Sequence, residues 1–162
     1  MDLELKSLLD NLAISYKLHE HKAVFTVGES GFLRDIIPGA HTKNLFMKDD
    51  KGRFYLICLG ADKRLDVKWL KKYLGVGKLH FGSAEDMKSE LHLTPGSVSL
   101  FGLMHAQHTR LILDSELWEA PTVSFHANIN TETLEITHKD LERFYNWLKA
   151  DKEILKLQES TA

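Results

Sequence analysis

The spacing of apolar residues changes period repeatedly along this chain, and each change predicts a new element. Leu5, Leu8, Leu9 and Leu12 recur at helical spacing over residues 2–15, with Asp2 placed to cap them. Short β-type runs follow at Tyr16–His19 and Ala23–Val27. Thr26 and Glu29 have the spacing of a capping box, and Phe32, Leu33, Ile36 and Ile37 then share one helical face up to Pro38-Gly39. Leu45–Met47 and Phe54–Leu59 flank the turn Asp49-Asp-Lys-Gly52, which is a hairpin pattern. At its start, Lys43 and Asn44 are two polar residues where an apolar strand begins.

The second half alternates in the same way. Asp66–Leu74 reads as a helix with Val67, Leu70 and Leu74 inward and Gly75 as its left-handed stop. Lys78–Phe81 is a short strand, and Ser83 with Asp86 caps a helix that ends near Leu91. After the turn Thr94–Ser97, four runs read as strands: Val98–Met104, Arg110–Leu113, Val123–Ala127 and Thr133–Ile136. Thr137 and Asp140 cap a closing helix carrying Leu141, Phe144, Trp147 and Leu148. Residues beyond about 150 read as a frayed helical tail. Helices mixed with strands on short connections predict an α+β fold, with a mixed and largely antiparallel sheet.

Composition adds bounds rather than identity. The 162 residues fit one domain with a sizeable core, and no repeat or linker divides them. A hydrophobic share of 43% and a net charge of −2 exclude a disordered chain and a globally basic nucleic-acid binder. The single cysteine, Cys58, precludes an internal disulfide and fits a reducing cytoplasm. The charged N-terminus lacks a signal-peptide core, and no apolar run approaches the roughly 20 residues that span a bilayer.

Candidate chemistry is sparse. The close histidine pairs are His19-x-His21 and His105-x-x-His108, but neither comes with a third ligand at zinc spacing. They read as loop and turn histidines on the surface. No nucleophile elbow, phosphate-binding loop or dinucleotide fingerprint occurs, since Gly28-Glu-Ser30-Gly31 is one residue too tight. Cys58 lies in an apolar strand that disfavours a thiolate. Lys63, Arg64, Lys68, Lys71, Lys72 and Lys78 form a basic run, open to two readings: a solvated helix face or a phosphate-tracking surface.

The blocks His41-Thr-Lys-Asn-Leu-Phe46 and Thr94-Pro-Gly-Ser-Val98, with Leu111–Thr137 behind them, carry a resemblance over residues 10–148. The chain resembles the YbaK/ProX-like superfamily, free-standing relatives of the insertion domain of bacterial prolyl-tRNA synthetase. Within it, Lys-Asn-Leu-Phe looks like the ProXp-ala branch, which deacylates alanyl-tRNA(Pro).

The resemblance implies a barrel-like mixed sheet wrapped by helices and an aminoacyl-ester hydrolase that acts in trans. It implies a tRNA partner, possible contact with prolyl-tRNA synthetase, a monomer, and a reaction that needs no metal or cofactor because the vicinal ribose hydroxyl assists water. Carried over, Lys43 and Asn44 become the catalytic pair, with His126, Gly96, Ser97 and Gly102 binding substrate. Phe25, Leu33, Phe46 and Ser124 are pocket candidates, and Lys63, Arg64, Lys68, Lys71 and Lys72 are tRNA contacts. The alternatives are an editor of seryl or cysteinyl esters and a non-catalytic module that binds tRNA or a synthetase. Leu100 and Ala127 stand where family members often carry proline, which bears on the choice of amino acid.

Overall fold

The structure, a computed structural model, describes residues 1–23 and 29–161. The strand expected over 23–27, the capping box at 26–29 and the candidate Phe25 therefore lie wholly or partly outside the described residues. Helix α1 (Leu3–Asn11) begins as its pattern dictates: the Asp2 carboxylate accepts the backbone N–H of Leu5, and Leu5 and Leu9 are fully buried. Strand β1 (Lys17–Glu20) follows, then a 3-10 turn (Glu29–Phe32) that leads into the short α2 (Leu33–Ile36).

Strand β2 (Ala40–Asp49) is the organising element. It begins three residues before Lys43, so Lys43 and Asn44 are interior strand residues and not the polar strand end that the pattern suggested. Gly39 makes this early start possible. With φ +88°, it lies so close to Thr122 that a Cβ there would meet Thr122 Oγ1 at 2.0 Å. Strand β3 (Phe54–Gly60) completes the expected hairpin.

Helix α3 (Val67–Leu74) has Asp66 as N-cap and Gly75 in the left-handed region at its end. Strand β4 (Leu79–Phe81) and helix α4 (Ala84–Leu91) follow, the latter with both halves of the Ser83–Asp86 capping box formed. Strand β5 (Thr109–Asp114), helix α5 (Ser115–Glu119), strands β6 (Thr122–His126) and β7 (Glu132–Thr137), helix α6 (His138–Trp147) and strand β8 (Lys152–Leu155) complete the order.

Two expectations fail. The run Val98–Met104 is not a strand: Leu100–His105 forms a 3-10 helix, capped by the Ser99 hydroxyl accepting from Phe101 N–H. Leu100, Phe101 and Leu103 are all buried, and a short, uniformly apolar run carries no period to separate strand from helix. The C-terminal segment is not a frayed helix. It pairs as β8 in parallel with β5, Leu111–Asp114 against Lys152–Leu155, and Leu157 beyond it is buried.

The sheet runs β1-β7-β6-β2-β3-β5-β8, with β4 on β2 beside this path. Four pairings are antiparallel and three parallel (β2–β6, β3–β5 and β5–β8). Among the described residues β1 and β8 do not pair, so the sheet stays open and the expected barrel-like closure is absent. One apolar cluster, around Leu56, Phe101, Phe125 and Phe144, packs under α1, α4 and α6. A second, around Ile57, Leu59, Leu70 and Leu157, lies under α3. No helix among the described residues is long and apolar enough to cross a membrane.

Candidate functional site

The site arises from a split in the sheet. Strand β2 pairs with β6 only at Ala40 and His41, then turns to pair with β3 from Thr42 to Lys48. The Thr42 hydroxyl holds the junction by donating to the Ser124 carbonyl at 2.7 Å. Beyond it β2 and β6 diverge, leaving a cavity of about 40 Å³ lined by Leu33, Asn44, Ser124, His126 and Thr133, with Arg34, His41 and Thr42 at its rim. A wider cleft of about 620 Å³ adjoins it, sharing Arg34, His41 and Ala61 and adding Asp62, Lys63, Glu116 and Glu159.

Strand pleating sorts the two expected catalytic residues. Directly opposed residues of an antiparallel pair share a face. Asn44 opposes Cys58 and Phe46 opposes Leu56, whereas Lys43 opposes Leu59 and Leu45 opposes Ile57. Asn44 thus takes the face of the larger core and enters the cavity wall, while Lys43 takes the α3 face. Burial lowers the Lys43 pKa, opposed by the nearby carboxylates of Asp62 and Glu159, both of which line the wider cleft.

Asn44 Oδ1 is buried with no hydrogen-bond partner among the described residues. Such an atom forfeits about 1–3 kcal/mol, which makes it a ready acceptor for a ligand donor. His126 ends β6 within the same wall. Burial lowers its pKa, the neighbouring His21 lowers it further, and a hydrogen bond to the Glu132 backbone opposes both. The ring is therefore neutral near pH 7 and able to take a proton.

Among the other expected site residues, Leu33 and Ser124 are brought to the cavity. Phe46 is a core residue, 2% exposed and stacked on Phe54 at 5.3 Å between centroids. Gly102 packs against the core, where an added Cβ would lie 2.6 Å from Leu93 Cδ1. Gly96 (φ +92°) and Ser97 form the turn after α4, with Ser97 N–H on the Thr94 carbonyl. Leu100 and Ala127, the two departures, are buried in the larger core.

The basic run divides. Lys63 is held within the fold: it is 8% exposed, with Nζ 2.8 Å from Asp114 Oδ2 and 3.2 Å from Glu116 Oε1. Its burial lowers the pKa, but the two carboxylates outweigh that and raise it, so the ammonium is committed to them. Arg64, Lys68 and Lys72 are exposed and Lys71 is half-buried, the three lysines all on α3.

Cys58 is fully buried and burial raises its thiol pKa, as expected of a core residue. Among the described residues no group of three or more His, Cys, Asp or Glu could hold a metal ion. The histidines at 19 and 21 are not idle surface groups, however. His19 Nε2 meets Glu135 Oε1 at 3.1 Å, and His21 Nε2 meets Thr133 Oγ1 at 2.8 Å. His21, His41 and Thr133 lie in segments far apart along the chain, so no spacing in it marks them as neighbours.

Comparison with known proteins agrees with this architecture. Residues 21–144 match the aminoacyl-tRNA editing domain. The chain is 34% identical over 150 residues to the prolyl-tRNA editing protein ProX of Acetoanaerobium sticklandii, covering 88% of this chain and 92% of that one. It is 32% identical to prolyl-tRNA synthetase associated domain-containing protein 1 of Danio rerio, covering 87% of this chain and 79% of the relative. A solved structure described as a candidate trans-editing enzyme for prolyl tRNA synthetase superposes with a TM-score of 0.73 over 99% of both chains, at 21% identity. That likeness speaks to the fold alone. With a family match over most of its length and two such relatives, this chain belongs to the aminoacyl-tRNA editing domain family.

Proposed function

We propose that this protein is a trans-editing deacylase that hydrolyses alanyl esters of mischarged tRNA(Pro). The relatives' names supply the prolyl-tRNA context, and the cavity supplies the choice of amino acid. The observation that carries the reading is a small cavity walled by the buried Asn44 Oδ1, which has no partner among the described residues. The reading takes this space to admit a methyl side chain and an ammonium and to exclude a pyrrolidine ring. A synthetase pocket built for proline discriminates weakly against a smaller side chain, and a second site that admits only the smaller product removes the error.

The residues fall into roles. Asn44 Oδ1 accepts from the α-ammonium of the aminoacyl group, which satisfies the buried oxygen. His126, held neutral, receives the proton of the attacking water. The water oxygen bonds to the ester carbon, the bond from that carbon to the ribose oxygen breaks, and the proton passes to the departing oxygen. The products are free alanine and an intact tRNA end. The terminal nucleotide occupies the wider cleft, beside Lys43 and Arg34, so Lys43 serves its phosphate and not the reacting carbonyl.

A serine editor is the second reading. It is favoured by the hydroxyls of Thr42, Ser124 and Thr133 around the cavity, which could bind a substrate hydroxyl. The test is ester loss from alanyl-, seryl-, cysteinyl- and prolyl-tRNA(Pro) incubated with the protein. Alanyl release is expected to be fastest. Release of all four at the buffer rate would defeat the deacylase assignment and leave a binding module.

A further inference from the structure

The contacts around His126 fix more than its position. Four groups form a line: the Lys22 carbonyl, the His21 ring, the Thr133 hydroxyl and the His126 ring. His21 Nδ1 lies 2.8 Å from the Lys22 carbonyl oxygen, and His21 Nε2 lies 2.8 Å from Thr133 Oγ1. Thr133 Oγ1 in turn lies 3.4 Å from His126 Nδ1, and the two rings are 6.0 Å apart. Strand pairing places the line: β1 and β7 run antiparallel with His19 opposite Thr133, while His126 opposes Thr133 from β6. The Thr133 hydroxyl therefore sits between two histidines, one at the end of β6 and one just past the end of β1.

Donor and acceptor rules then assign the protons along this line. A carbonyl oxygen only accepts, so His21 Nδ1 carries a proton. When the His21 ring is neutral, Nε2 is then the acceptor, and it takes the one proton of the Thr133 hydroxyl. With that proton committed, Thr133 Oγ1 can face His126 only as an acceptor, so His126 Nδ1 carries its ring proton. The other nitrogen, Nε2, keeps its lone pair.

We propose that His21 and Thr133 are positioning residues which hold His126 in its Nδ1-protonated tautomer, leaving Nε2 as the proton acceptor that the ring offers the cavity. This rests on the deacylase reading for its catalytic meaning, but the proton placement stands on the geometry of the two rings in their neutral form. The burial that keeps His126 neutral acts in the same direction, because a charged ring would have no lone pair to offer. It also gives a use to a threonine and a histidine whose backbones already satisfy the sheet. A ring free to exchange tautomers would present the wrong nitrogen part of the time, so the chain acts on turnover and not on binding.

The test uses the full protein labelled with 15N, at a pH well above the usual imidazole range. Ring-nitrogen resonances are expected to put the proton on Nδ1 in both His21 and His126. Thr133→Val removes the hydroxyl and keeps the shape. It is expected to mix the His126 tautomers and lower kcat for alanyl-tRNA(Pro) by about tenfold or more, with KM nearly unchanged. Thr133→Ser restores both. A proton on Nε2 of His126 in the unaltered protein would overturn the proposal. So would a Thr133→Val protein with the same tautomer and the same kcat. If the protons lie as stated and no aminoacyl-tRNA is hydrolysed, the deacylase reading fails and the catalytic role of the chain fails with it, while the geometry holds.

Discussion

The two ends of strand β2 treat a buried polar side chain in opposite ways. At its C-terminal end, Asp49 is 2% exposed and accepts four hydrogen bonds, from Lys51 N–H, Arg53 N–H, Arg53 Nε and the Tyr55 hydroxyl, all between 2.8 and 3.0 Å. Nearer its start, Asn44 Oδ1 is equally shut away and accepts none among the described residues. Burial by itself raises the Asp49 pKa, but the hydrogen bonds from Arg53, Tyr55 and Lys51 outweigh it and bring it down to about 2. The same environment pushes the Tyr55 hydroxyl up to about 12, through burial and the Asp49 carboxylate. A satisfied network of this kind fixes a turn. An unsatisfied acceptor in a cavity wall costs stability, and the proposed function gives it a partner in the α-ammonium of the substrate.

The contrast can be broken from either end. Asn44→Ala removes an oxygen that no described residue uses, so kcat for alanyl-tRNA(Pro) is expected to fall by about a hundredfold while Tm stays level or rises. A fall in Tm matching the loss of activity would make Asn44 structural. Asp49→Asn should do the reverse. The folded carboxyl value lies below the unfolded one, so its stabilisation is present above about pH 4 and lost as pH falls towards 2. That shift amounts to about 2.4 kcal/mol, roughly sixtyfold in the folding equilibrium, and urea titrations at pH 7 and pH 3 would read about half of it. Activity per folded molecule should stay within about twofold, and a larger loss would join the two ends of β2 in one function.

Smaller effects sharpen the division between the strand's faces. Lys43→Ala is expected to raise KM about tenfold and leave kcat nearly unchanged, since its charge lies beside the wider cleft and not in the small cavity. A fall in kcat with constant KM would return Lys43 to the reacting centre. Replacing Lys68 and Lys72 by alanine should weaken tRNA binding a few-fold, and the slope of log affinity against log salt should become shallower by about one for each phosphate that is no longer neutralised. An unchanged slope would leave the exposed α3 lysines as a solvated face. Lys63→Ala belongs with neither, because its partners Asp114 and Glu116 tie it into the fold.

The local signals in the chain translated well into structure. The caps at Asp2, Asp66, Ser83 and Thr137 each start a helix by accepting a backbone N–H, and Gly75 ends one. What could not be read locally was pairing across the sheet. Strand β8 exists because β5 offers it an edge, and Lys152 Nζ reaches back to the carbonyls of Tyr145 and Leu148 at the end of α6. The helix α5, capped by Asp114, is a five-residue element too short to show a period.

The site shows the same divide. Motif resemblance pointed to Asn44 and His126, and the fold brings both to the cavity. Lys63 read as surface charge because its partner Asp114 is 51 residues away. The split of β2 from β6 beside the cavity, and the close approach of Gly39 to Thr122 just before it, join distant segments and have no signature in either alone.

The most direct test of the central claim is the ratio of two rates. Alanyl- and prolyl-tRNA(Pro) are supplied to the unaltered protein at the same concentration, and ester loss is followed against buffer. If the 40 Å³ cavity is the second sieve, alanine is released faster than proline by about a hundredfold or more. Equal rates, or faster release of proline, would contradict it.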